Sequence, residues 1–191
     1  MRRSTKERLL EGGLAMLLKH GYNDLAIQEL LVAQDIPKGS FYHHFRSKED
    51  FALQVIDRYM QEVHAGLDAC LGDTGRPPLE RVRAFFELSR EKYRGEGYMG
   101  CLLGSLGQEL SGVNDAFRFK IDGCFSEITA RVAVCLEEAR HRGDLPPESD
   151  AHHMAVLLLD CWEGAALRSR LRHDPKPLNA MLDFYFRSVA R

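Results

Sequence analysis

Lys38, His43, His44, Arg46 and Lys48 fall within eleven residues, interleaved with Phe41, Tyr42 and Phe45, in the stretch DIPKGSFYHHFRSKEDF. No acid stands between Ile36 and Lys48. Cations without counter-acids, the hydroxyls of Ser40 and Tyr42, and two imidazoles together make a surface suited to phosphates and to the edges of bases. The net charge of the whole chain is -2 at pH 7, so this cationic density is local and the total conceals it.

Those side chains need a scaffold, and the sequence points to helices. Nearly every segment follows the helical period and none alternates at period two, so the fold class is all-α. A first helix is expected from Ser4 or Thr5 to His20, ended by Gly21, with Leu10, Leu14, Leu17 and Leu18 on one face. A second covers Ile27–Gln34 and a third begins at about Pro37. Ser47 caps a fourth, with Asp50 three residues on. Two short helices joined by a tight turn have the dimensions of a helix-turn-helix whose second helix enters a major groove. On that reading the N–H groups of Lys38, Gly39 and Ser40 are free for a phosphate, and Gly39 keeps the helix end slim. Phe41 and Phe45 anchor the helix, while Tyr42, His43 and His44 turn outward and Lys48 reaches a flanking phosphate.

The fourth helix carries Phe51, Val55, Tyr59, Val63, Leu67 and Cys70 on one stripe and ends in GDTGRPP. Beyond it a fifth helix (Leu79, Val82, Phe86), a short one over Cys101–Leu110, a long one from Ser111 to Gly143, and two last helices over Asp150–His173 and Pro177–Val189 are expected. In the last of these Leu178, Met181, Leu182, Tyr185, Phe186 and Val189 form a wide stripe. Together with Met154, Leu157, Leu158, Cys161 and Ala165 it makes either half of a four-helix seam between subunits or the subunit's own core.

Cys101 heads the short helix of a glycine-rich stretch, YMGCLLGSLGQELSG, that holds Gly97, Gly100, Gly104, Gly107 and Gly112. Glycine costs about 1 kcal/mol relative to alanine inside a helix, and close helix approach or a ligand against the backbone would offset that. A helix N-terminus favours a thiolate, which makes Cys101 either a reactive cysteine or a small buried hydrophobe like Cys70, Cys124, Cys135 and Cys161. Glu109, Asp160 and Glu163, with the ring of Trp162, suit a cation, and Arg118 or Arg168 suits an acid; solvation of the surface is the plain alternative. Five widely spaced cysteines without a C-x-x-C pair argue against disulfides and zinc, and His152 and His153, adjacent on a helix, diverge, so no metal and no cofactor are expected. With no run of eighteen apolar residues and no basic start before an apolar segment, neither a membrane span nor a signal peptide is expected, and the cytoplasm is the expected compartment.

GYNDLAIQELLVAQDIPKGSFYHHFRSKEDF, from Gly21 to Phe51, resembles the DNA-binding head of the TetR family of bacterial transcriptional repressors. The resemblance implies a homodimer that presents two heads to successive major grooves of a palindromic operator, with a small-molecule inducer held in the body. By position it implies Pro37, Lys38, Ser40, Tyr42, His43, His44 and Lys48, to which the helix N-terminus adds Gly39, as the DNA-binding residues, in a domain of residues 1–50, and residues 51–191 as the ligand-binding and dimerisation domain. Two departures are Asp35, where glycine is usual in the turn, and Ala26, where a Ser or Thr cap is usual; Asp35 tolerates a left-handed conformation, and Asp24 is an alternative cap. GCLLGSLGQEL followed by CWEGAALRSRL is similar to a subgroup that responds to small electrophiles, such as the acrylate- and N-ethylmaleimide-responsive repressors, which implies a sensing role for Cys101; with Glu109, Trp162 and Glu163 from the reading of the residues, these are the candidates for ligand binding or sensing. The expected function is a ligand-released repressor and not an enzyme; the alternative is a cysteine-dependent enzyme acting through Cys101.

Overall fold

The computed structural model describes residues 4–189. They form α1 (Thr5–His20), α2 (Ile27–Ala33), α3 (Lys38–His44), α4 (Lys48–Leu71), α5 (Pro78–Gly95), α6 (Leu102–Leu110), α7 (Asp115–Arg142), α8 (Ala151–Arg172) and α9 (Lys176–Val189), with no strand among them. This is the all-α fold that the helical period calls for. The helices divide between two compact units, one of residues up to Glu62 with Leu102–Ile121, the other of Val63–Cys101 with Asp122–Arg191. The chain passes from one unit to the other inside α4, at the Cys101–Leu102 bond and inside α7.

In the first unit α1 opens on a capping box, in which the Glu7 N–H donates to Ser4 Oγ (3.2 Å) and the Ser4 N–H to Glu7 Oε2 (2.7 Å). Its buried face is Leu9, Gly13, Leu14, Leu17 and Leu18, so Leu14, Leu17 and Leu18 are inward as expected, and Leu9 rather than Leu10 joins them. A Cβ at Gly13 would lie 2.4 Å from Phe51 Cζ and 3.0 Å from Val55 Cγ2, so α1 and α4 meet there at a distance that only glycine permits. Asp35 does take the left-handed conformation (φ 52°) in the turn between α2 and α3. Asp24 does not cap α2; the N-cap position before Ile27 is Ala26, with no side-chain cap. At α4 the Asp50 N–H donates to Ser47 Oγ (3.0 Å), and the Asp50 carboxylate accepts the Arg46 N–H (2.8 Å), a bond that holds its pKa below the ordinary carboxylate range.

The long helix starts at Asp115, four residues after the expected Ser111. Asn114 caps it, its Oδ1 accepting the Phe117 N–H (3.2 Å) while its Nδ2 donates to Glu49 (2.8 Å).

In the second unit α8 and α9 pack on each other, and α9 also packs on α5. Leu178, Leu182 and Phe186 are buried in this packing, Arg83 pairs with Asp183 (2.7 Å), and the Tyr185 hydroxyl donates to the Met154 carbonyl (2.9 Å). The centre of the α9 stripe therefore serves the subunit's own core. The apolar side chains left outside are Leu157, Leu167 and Leu171 on α8 and Phe184 on α9, the last two 66% and 74% exposed.

Gly13→Ala should destabilise the protein by about 1–3 kcal/mol, the usual cost of overpacking, because the displaced neighbour is a fully buried ring with nowhere to retreat. Denaturant unfolding followed by circular dichroism measures it; a midpoint equal to wild type would show that α1 and α4 can separate freely.

Candidate functional site

The cationic stretch resolves into a buried side and an exposed side. Phe41, Phe45 and Phe51 are at most 1% exposed and form a triangle with ring centroids 5.1, 5.2 and 4.8 Å apart. Phe41 and Phe45 thus anchor α3 as their spacing requires. On the other side Pro37, Lys38, Gly39, Tyr42 and His43 are exposed, Tyr42 by 60%, whereas Ser40, His44 and Lys48 are half-buried. His43 and His44 stand edge to face at 5.1 Å.

At the start of α3 the Ser40 N–H donates to the Pro37 carbonyl (2.9 Å), so it is not free as expected; the N–H groups of Lys38 and Gly39 have no such partner among the described residues. A Cβ at Gly39 would meet nothing within 4 Å. The fold itself therefore gives no steric reason for glycine at this exposed helical position.

Lys48 is engaged within its own unit. Its Nζ donates to the Asn23 carbonyl (3.1 Å) and lies 4.8 Å from the centroid of the Tyr22 ring. Glu109 on α6 closes the same loop from another side, since Oε2 accepts the Tyr22 N–H (2.8 Å) and Oε1 the Asn23 N–H (2.7 Å). The Tyr22 ring also packs edge to face on Phe117 at 5.0 Å, and burial pushes the Tyr22 phenol up. Gly21, with φ 76°, precedes this clamp, and a Cβ there would stand 2.7 Å from Glu109 Oε2. The sequence carried one sign of this arrangement, the glycine that ends α1, but none of its partner on α6.

Glu109 belongs to the first unit, and the other nominated sensing residues belong to the second. Cys101 is 8% exposed and follows Gly100, whose φ of 80° is the left-handed conformation that turns the chain into α6. Its thiol bonds to the Glu163 carboxyl, and burial pushes that carboxyl up to about 7, the thiol contact opposing the shift. Trp162 is buried against Phe86 (5.0 Å) and Tyr93 (5.8 Å), so its faces are taken up by the core. Glu163 also lines a cleft of about 300 Å³ between α7 and α8, with Asp122, Phe125, Ser126, Thr129, Val156 and Leu159 among its walls. No feature of the sequence marked this cleft, because its walls come from two helices whose register is set only by packing.

The remaining cysteines are less uniform than expected. Burial pushes the thiols of Cys70 and Cys135 up, but Cys161 is exposed on α8 and is not shielded. His152 and His153 are both exposed, and no group of three metal-ligating side chains occurs among the described residues. Nor is any helix of the described residues long and apolar enough to cross a membrane.

Residues 9–55 match the family described as bacterial regulatory proteins, tetR family, and residues 78–185 match the tetracyclin repressor-like, C-terminal domain. The transcriptional regulator AcuR of Cereibacter sphaeroides is 37% identical over 91% of this chain and 80% of its own length. The HTH-type transcriptional repressor DhaR of Mycobacterium sp. strain GP1 is 30% identical over 98% and 93%, and the repressor NemR of Escherichia coli K12 is 28% identical over 93% and 90%. Among solved structures, a regulatory protein TetR from Rhodobacter sphaeroides superposes with a TM-score of 0.91 at 35% identity, covering 96% of this chain and 97% of that one. The exposed cationic helix held by buried phenylalanines and the match along both parts of the chain lead to one assignment: this protein belongs to the TetR family of bacterial transcriptional regulators.

Proposed function

We propose that the protein is a cytoplasmic repressor that binds a palindromic operator as a homodimer and is released when a small molecule, of the electrophile class, reacts in its second unit. The observation that carries the DNA reading is Gly39. Glycine in a helix costs about 1 kcal/mol relative to alanine, and open space around the missing Cβ means the protein gains nothing from the exchange. A duplex backbone lying against the helix end explains it, with the Lys38 and Gly39 N–H groups turned to a phosphate. Pro37, Ser40 and Tyr42 flank that contact, and His43 and His44 face base edges. Lys48 is held by Asn23, which positions its charge for a flanking phosphate at a low entropic cost.

The dimer reading rests on the apolar face that α8 and α9 leave outside. Leu157, Leu167, Leu171 and Phe184 lie on helices whose other faces are already buried, and a two-fold axis would cover them with the same patch of a second copy. The electrophile reading rests on Cys101 beside Glu163 and on the resemblance of GCLLGSLGQEL and CWEGAALRSRL to the electrophile-responsive subgroup.

Gly39→Ala should leave thermal stability unchanged or raised, yet weaken binding to the operator several-fold. Tyr42→Ala and Lys48→Ala should weaken binding to every duplex and each lower the salt slope by about one, while His43→Ala should also relax sequence preference. Footprinting on the DNA flanking the gene, then titration at several salt concentrations, tests all four; wild-type affinity throughout would remove α3 from the interface.

Leu171→Glu together with Phe184→Glu should yield a folded monomer, read by light scattering with circular dichroism. Glutamates at Leu182 and Phe186 should instead unfold the subunit, because those positions are internal. A persistent dimer in the first variant would place the seam elsewhere.

In a mobility-shift titration with an unsaturated electrophile, each protein scaled to its own unliganded binding, wild type should release the operator and Cys101→Ser should resist release. Mass spectrometry places the adduct. Release that follows Cys161 instead would transfer the sensing role to the exposed thiol.

A further inference from the structure

Resting on the electrophile reading above, we propose that Glu163 is the proton acceptor that makes Cys101 reactive, and that the cleft between α7 and α8 is where a small, neutral, conjugated carbonyl compound binds before it is attacked. Two observations meet at one residue. Glu163 lines the cleft, and its carboxyl bonds to the Cys101 thiol. The cleft has a volume of about 300 Å³, at the lower end of small-molecule sites. Its wall includes Thr129, only 7% exposed, whose hydroxyl is a donor that suits a carbonyl oxygen.

The chemistry balances without any further reagent. The sulfur of Cys101 forms a bond to the β-carbon of the acceptor, and its proton passes to the Glu163 carboxylate. The π pair of the C=C bond moves toward the carbonyl as an enolate, held by the Thr129 hydroxyl. Glu163 then returns the proton to the α-carbon, which leaves a thioether and a regenerated carboxylate.

The other titratable groups of the cleft are Asp122 on α7 and His152 and Asp160 on α8, and Tyr93 of α5 stands behind Trp162. The upward shift of Glu163 comes first from burial. A carboxyl that ionises at about 7 is matched to general-base work near neutral pH. The three acids of the cleft also disfavour an anionic acceptor, which is why a neutral one is expected.

The test uses the intact protein and acrylamide, a probe that does not itself ionise in this range. Adduct formation at Cys101 is timed by mass spectrometry between pH 5 and 9. Wild type should speed up with a midpoint near pH 7 and then level off. Glu163→Gln should be slower by tenfold or more at pH 7 and lose that midpoint. Thr129→Val should raise the acrylamide concentration for half-maximal rate and keep the midpoint. Equal rates and profiles in wild type and Glu163→Gln would overturn the base, and unchanged saturation in Thr129→Val would overturn the cleft. A wild-type Cys101 that never reacts, while Cys161 does, would sink the electrophile reading itself and is a distinct outcome.

Stability supplies an independent check that the glutamine variant folds. The unfolded chain ionises Glu163 around its ordinary 4.5 and the folded chain at about 7, so the folded state holds more protons in between, and its stability falls as pH rises across that window. Relative to wild type, the melting temperature of Glu163→Gln should therefore gain between pH 5 and pH 8; a constant difference would mean that the carboxyl is not desolvated.

Discussion

The contact on which the exposed cationic side of α3 depends is the triangle of Phe41, Phe45 and Phe51 beneath it. A seven-residue helix has too few internal hydrogen bonds to persist in water, since nucleation consumes most of what so short a segment returns. Burial of a phenylalanine contributes roughly 1.5–3 kcal/mol, and each ring pair about 0.5–1.5 kcal/mol more, which together exceed the deficit. Fixing Phe41 and Phe45 four residues apart also fixes the rotation of the helix. Tyr42 and His43 are outward because their neighbours are inward, and the chemistry of the exposed side is a consequence of packing underneath it.

Gly13 extends the same constraint to α1. Phe51 can complete the triangle only because no Cβ stands between it and α1, so one glycine on the first helix sets how closely the fourth approaches and where the third is held. The Glu109 clamp acts at the other end of α1. Two N–H groups of one loop on the two oxygens of one carboxylate make charge-assisted bonds in a fixed geometry, and the next carbonyl of that loop receives Lys48. A displacement of α6 within this unit would therefore reach a cation beside α3 through three hydrogen bonds, without any change in the triangle.

Much of this was legible in the sequence because it is local. Helical period gives α1, α4 and the other long helices within a few residues, and the i to i+4 spacing of Phe41 and Phe45 tells which way α3 faces. Asp35 announces a left-handed turn. What was not legible depends on distance along the chain. Glu109 is more than eighty residues from Tyr22 and Asn23, and nothing in LGQEL distinguishes a carboxylate that will cap a loop from one that will meet a ligand. The stripe on α9 is ambiguous for a related reason: period reveals that a helix has an apolar face, but whether its own chain or another copy covers that face is decided by α5 and α8. The late start of α7 is a local miss, since Asn114 is a strong capping residue and Ser111 only competes with it.

Cys101 shows how two local rules can oppose each other once the fold is known. The start of α6 favours a thiolate, a term worth about 0.3–1 kcal/mol at exposed helix ends and up to about 2 kcal/mol where partly buried. The Glu163 carboxyl, in hydrogen-bond contact and desolvated, carries a full charge when ionised, and like charges at that distance in a medium of low permittivity cost more than the helix end returns. An ionised Glu163 therefore opposes a thiolate at Cys101. A resting thiolate, as the helix end alone would suggest, would react with any electrophile that reached it. In the mechanism proposed above, a thiol that gives up its proton to Glu163 only as the sulfur attacks would tie reaction to an acceptor seated in the cleft.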